Sequence, residues 1–108
     1  WHTFSPKKLA RLFSEEEIAY CLSDAHRASE RFAVRFAAKE AFYKAVSVVR
    51  TKPLPFLTVA RATAVTKNTD GLPLLKVSWD MLAVTPYTTH ISLTHTTTVA
   101  TAIVILSQ

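Results

Sequence analysis

Arg31-Phe32-Ala33-Val34-Arg35-Phe36-Ala37-Ala38-Lys39-Glu40-Ala41-Phe42-Tyr43-Lys44-Ala45 is free of Gly and Pro and rich in Ala, so it reads as a helix. Wound at about 100° per residue, it sets Phe32, Phe36 and Tyr43 on one stripe and Ala33, Val34, Ala37, Ala41 and Ala45 on another. Glu40 and Lys44, neighbours across one turn, fall between these stripes, and Arg31, Arg35 and Lys39 lie on a separate side. A surface helix would collect its charges on one broad solvated face. A carboxylate and an amine at the border of the apolar surface, flanked by alanines, allow two readings. One is an exposed ion pair; the other is a ligand for a hard cation beside a lysine for a phosphate.

The chain has 108 residues and is 49% hydrophobic, which suits one compact domain spanning residues 1–108. No apolar run approaches the roughly 20 residues that cross a bilayer, and no signal pattern opens the chain. A soluble, cytoplasmic protein with no membrane partner is expected. Cys21 is the only cysteine, which excludes an internal disulfide and reads as a small buried apolar residue. The formal net charge of +5 suits a nucleic acid, an acidic protein or a polyphosphate ligand. There is no paired Cys/His spacing for zinc and no nucleic-acid motif, so no nucleic-acid partner is expected.

Working outward, Ser5-Pro6 opens a short helix to Phe13, with Ser as cap and Pro at the first position. Lys7, Lys8 and Arg11 make it basic, either as a solvated face or as a dock for an acidic partner. Ser14-Glu15-Glu16-Glu17 matches a capping box for a second helix to about Leu22. Asp24 or Ser29 is expected to cap the long helix, which runs to about Val49. Arg27, Arg31 and Arg35 recur every four residues and can line a phosphate-binding edge or solubilise the flank. Pro53 and Pro55 make residues 50–56 an extended connection. Thr58 to Thr66 reads as a strand, Asn68-Thr69-Asp70-Gly71 as a hairpin turn carrying the only glycine, and Leu74 to Ser78 as the return strand. Trp79 to Tyr87 is ambiguous between a helical turn and a loop. His90–Thr94 and Val99–Leu106 alternate as an antiparallel hairpin. The class is α+β, a long central helix on a small, mainly antiparallel sheet. His2, His26 and His90 read as structural or surface groups.

Taken together, Phe13-Ser14-x-x-Glu17-x-x-Tyr20-Cys21, then Arg35-Phe36-Ala37-Ala38-Lys39-Glu40-Ala41-x-x-Lys44-Ala45, then Asp70-Gly71-x-Pro73 and Ser92-x-Thr94-His95-Thr96, resemble the bacterial holo-acyl-carrier-protein synthases. These form the short, single-domain branch of the 4′-phosphopantetheinyl transferase superfamily. The resemblance covers almost the whole chain in order, and the Arg35-Phe36-Ala37-Ala38-Lys39-Glu40-Ala41 segment with Lys44 four after Glu40 is its most specific part. It implies transfer of the phosphopantetheine arm of coenzyme A to a serine of acyl carrier protein, for fatty acid biosynthesis, with Mg2+ required. By resemblance, Glu40 ligates magnesium and Lys44 stands beside the reacting phosphate, the two forming the catalytic pair. The contacts to coenzyme A are expected from Arg27, Arg35, Lys39, Lys44, His95 and Thr96. Lys7, Lys8 and Arg11 are expected to dock acyl carrier protein. The family also implies a cyclic homotrimer with nucleotide sites between neighbouring subunits. One departure is that family members open with a strand bearing a second, aspartate ligand for the metal, and this sequence starts after it, which implies an N-terminally incomplete domain with weakened metal binding. The competing expectation, from charge alone, is a non-catalytic basic module for RNA or an acidic protein.

Overall fold

The computed structural model describes residues 5–108; Trp1 to Phe4, and with them His2, lie outside the described residues. Among the described residues, five helices and four strands follow in order. They are α1 (Pro6–Leu12), α2 (Glu15–Leu22), α3 (Ala28–Val49), α4 (Phe56–Arg61), β1 (Thr63–Lys67), β2 (Pro73–Val77), α5 (Trp79–Leu82), β3 (Thr88–His95) and β4 (Ala100–Ser107). Both strand pairings, β1 with β2 and β3 with β4, are antiparallel, and the two hairpins approach each other along β2 and β3. The α+β expectation holds.

The opening of the chain follows its capping chemistry. Ser5 accepts the Lys8 amide at 3.3 Å ahead of Pro6, and Ser14 and Glu17 close the reciprocal box at 3.1 and 2.9 Å. The cap of α3 differs from expectation. The helix starts from Arg27 without a side-chain capping bond, because Asp24 spends its carboxylate on the His26 amide and Ser29 lies inside the first turn.

The expected strand from Thr58 is a second correction. Residues 56–61 wind into α4, with the Thr58 and Val59 amides donating to Pro55 at 3.1 and 3.3 Å, and only Thr63–Lys67 is extended. A helical turn buries Val59 and Ala60 together beneath α3, which a strand could not do with adjacent residues. That packing overrides the local β preference of Thr and Val. Asn68 accepts the Asp70 and Leu72 amides and Gly71 takes φ +80°, so the turn between β1 and β2 forms as its residues require.

The core has two parts. Ala38, Phe42 and Val46 of α3 meet Val59, Val65, Leu75 and Leu82, and the inward residues Ile91, Leu93, Ala102, Val104 and Leu106 of the second hairpin pack on them. Leu9, Phe13, Cys21 and Phe32 form the smaller part, with the Phe13 and Phe32 rings 5.1 Å apart. The other face of the β3–β4 hairpin exposes Ile103 and Ile105 opposite Ser92 and His90.

Cys21 is a free, fully buried thiol, as expected. Burial pushes it up from 9.0 to about 11. The folded chain therefore keeps this proton where the unfolded chain has released it. The thiol's contribution is intact below pH 9 and lost as pH rises towards 11. The slope is about 1.4 kcal/mol per pH unit. Urea unfolding across this range, compared with Cys21→Ala, should isolate that slope; parallel curves for the two proteins would refute it.

Candidate functional site

Five elements, α2, α3, β1, β2 and β3, build a cationic cleft of about 280 Å3. Tyr20 comes from α2, Arg27 from the cap of α3, and Arg31, Val34 and Arg35 from α3 itself; Val65, Thr66 and Lys67 come from β1, and His95 from the end of β3. The four-residue spacing of the arginines puts their side chains in one row along this wall. Arg31 and Arg35 lie against the Tyr20 ring, 4.3 and 4.4 Å from its centroid, and the Lys67 ammonium is 4.7 Å from it. Lys67 also donates to the Tyr20 hydroxyl at 2.7 Å.

The charge is poorly compensated. Arg27 meets Asp24 only at 3.9 Å, and His95 Nδ1 lies 3.2 Å from Glu30. Arg35 is 5% exposed, its Nη1 makes a long 3.4 Å bond to the Arg31 carbonyl, and its buried Nε has no hydrogen-bond partner. A buried guanidinium without a carboxylate is costly unless an anion completes it. Such a cluster suits phosphate chemically, since planar guanidinium groups grip phosphate through two parallel bonds.

Below this row lies a closed polar centre. Lys39 Nζ is 2.8 Å from Glu17 Oε1 and donates to the carbonyls of Ala60 and Thr63 at 2.9 and 2.8 Å. Glu17 Oε2 accepts the Val65 amide at 2.9 Å, and neither side chain is more than 1% exposed. Burial lowers the Lys39 pKa against the pull of Glu17. The expectation that Lys39 contacts the cofactor is corrected by this placement: all three of its protons are committed inside the protein, where it ties α3 to α2 and to the α4–β1 junction.

Glu40 and Lys44 are exposed and, among the described residues, have no ion-pair partner within 4.0 Å. Five residues beyond Arg35, Glu40 faces about 140° away around the helix, so the pair does not line the cationic cleft. Thr96 closes the β3–β4 turn, its hydroxyl accepting the Thr98 and Val99 amides, and does not line the cleft either. Lys7, Lys8 and Arg11 all lie on the exposed side of α1. Among the described residues no three His, Cys, Asp or Glu side chains gather as a metal site, and no helix is long and apolar enough to cross a membrane.

The structure therefore brings together Arg27, Arg35 and His95 and adds Arg31, Lys67 and Tyr20. Arg31 was signalled by its spacing. Tyr20 stood in the quoted motif without a role and Lys67 carried no signal, because their approach depends on how β1 packs beside α2.

The family model of the 4′-phosphopantetheinyl transferase superfamily matches residues 2–102. The chain belongs to this superfamily. It is 36% identical over 108 residues to a holo-[acyl-carrier-protein] synthase of Treponema denticola, covering 93% of this chain and 80% of that one. Against the Geobacter sulfurreducens protein of the same name it is 35% identical over 102 residues, covering 91% of this chain and 77% of the other. Among solved structures, the Chronobacterium ammoniagenes ACPS–CoA complex superimposes with a TM-score of 0.79 at 25% identity, over 97% of this chain and 84% of that one. The Helicobacter pylori holo-[acyl-carrier-protein] synthase, solved with coenzyme A, does so with a TM-score of 0.71 at 30% identity, over 94% and 82%. The 4′-phosphopantetheinyl group that gives this superfamily its name carries a phosphate, which accords with a cleft walled by guanidinium groups.

Proposed function

We propose that this chain transfers the 4′-phosphopantetheine group of coenzyme A to a serine of apo acyl carrier protein, releasing 3′,5′-ADP, in the service of fatty acid biosynthesis. The observation that carries this reading is Arg35, buried and unpaired at its Nε within a cleft that also presents Arg27, Arg31, Lys67 and His95. Coenzyme A offers a 3′-phosphate and a diphosphate, enough anionic oxygens for such a cluster. Enzyme chemistry is favoured over a basic binding module by membership of the superfamily.

Glu40 and Lys44 are proposed as the catalytic pair. Lys44 would stabilise negative charge on the diphosphate as the bond to phosphorus breaks, and Glu40 would accept the serine proton directly or through a water. A lone exposed carboxylate suits Mg2+, which takes one or two protein carboxylates and fills its remaining positions with phosphate oxygens and water. When bound there, the ion would neutralise diphosphate charge. Lys7, Lys8 and Arg11 would steer the acidic carrier protein onto α1.

The two halves of this machinery point to different sides of α3. A homotrimer that sets the cationic cleft of one copy against Glu40 and Lys44 of its neighbour would reunite them, and the exposed Ile103 and Ile105 offer apolar surface for such contacts. Incubating the protein with apo acyl carrier protein, coenzyme A and Mg2+ should add the phosphopantetheine mass to the carrier; an unchanged carrier mass beside a positive control would refute the activity.

A further inference from the structure

The geometry points to Tyr20 as a positioning residue that holds Arg31, Arg35 and Lys67 around the cleft while leaving their charge free for a phosphate. This rests on the cleft being the anion site of the proposed function. Arg31 and Arg35 are one helical turn apart, and like charges at that spacing repel. Lys67 is brought against them from β1, so three cations converge with no carboxylate between them. The Tyr20 ring turns an electron-rich face to each guanidinium, and its hydroxyl accepts from Lys67 at 2.7 Å. A carboxylate in its place would order the same three groups but neutralise them. An aliphatic side chain would leave Lys67 without its acceptor and Arg35 with only its long bond to the Arg31 carbonyl, Arg31 alone staying held by the Tyr20 carbonyl and the Ser23 hydroxyl. Tyrosine orders without neutralising, which is what a preorganised anion site requires.

The same contacts leave a signature. The Lys67 hydrogen bond pulls the Tyr20 phenol below its ordinary value of 10.0, with the charges of Lys67, Arg31 and Arg35 adding to it against partial burial. The other ionisable groups nearby are Glu17 and Cys21 on α2, Arg27 and Glu30 at the start of α3, and His95 on β3. A bound phosphate would offset the cations and push the phenol back up; by linkage, its own affinity would fall as Tyr20 ionises.

The test uses adenosine 3′,5′-bisphosphate as the probe, by calorimetry on the wild type, Tyr20→Phe and Tyr20→Leu. Tyr20→Phe keeps the ring and loses the Lys67 acceptor, and should bind a few-fold more weakly; Tyr20→Leu loses both and should bind roughly tenfold more weakly. Tyrosinate absorbance, taken as wild type minus Tyr20→Phe so that Tyr43 and Tyr87 cancel, should show the Tyr20 transition moving to higher pH when the probe saturates. A purely structural role for Tyr20 would not move that transition. Equal affinity for Tyr20→Leu, or a transition indifferent to the probe, would overturn the proposal while leaving the anion site standing. Failure of the wild type to bind the probe at all would overturn both.

Discussion

Chains carrying Glu40→Gln and chains carrying Arg27→Ala with His95→Ala, each nearly inactive alone, are expected to regain turnover when unfolded together and refolded as a mixture. All three side chains are exposed, so their replacement should leave the fold intact. On the proposed mechanism each variant loses charge complementarity to the diphosphate or to the proposed magnesium ion, a loss on the order of 100-fold or more in rate. In a mixed assembly some interfaces combine the intact Glu40 of one copy with the intact Arg27 and His95 of its neighbour. Random mixing of equal amounts restores about one interface in four in a closed ring, so the recovered rate should stand far above either parent. Parents that are inactive and a mixture that stays inactive would show that each copy completes its own site. Full activity of Glu40→Gln alone would remove the proposed catalytic role.

The second large effect concerns stability. Lys39→Met should cost about 3–5 kcal/mol, because it leaves the Glu17 carboxylate buried without its counter-ion. The substitution also removes one donor each from the Ala60 and Thr63 carbonyls. Chemical denaturation with a constant slope would read the loss as a lower midpoint; a change below about 1 kcal/mol would mean that the pair contributes far less than its burial implies. Because burial lowers the Lys39 pKa from 10.5, the unfolded chain holds this proton at a pH where the folded chain has lost it. Its contribution is therefore present above pH 10.5 and lost as pH falls through the folded value, opposite in sign to Cys21.

Much of this architecture can be read from residue patterns. The Ser5-Pro6 opening, the Ser14/Glu17 box, the Asp70-Gly71 turn and the alternation of His90–Thr94 are local signals, and each forms the element its chemistry favours. Residues 56–61 mislead because β-branched side chains there answer to tertiary burial and not to strand propensity. Arg35 and Lys39 mislead in another way. Helix geometry puts them on a charged side of α3, and only the approach of α2 and β1 turns that side into interior. Composition alone cannot distinguish the two cations, yet one is left without a partner at its Nε while the other is closed by Glu17.

The Glu17–Val65 bond joins residues 48 positions apart, and Lys39 reaches Thr63 across 24. Contacts of such separation form after the local helices, once the entropy of closing the intervening loop has been overcome. The helical half of the chain could therefore assemble during synthesis with Glu17 and Lys39 still hydrated. The cleft would gain its β1 wall only when the strands arrive, so the proposed anion site becomes a late product of folding, withheld from any fragment that stops short of Thr63.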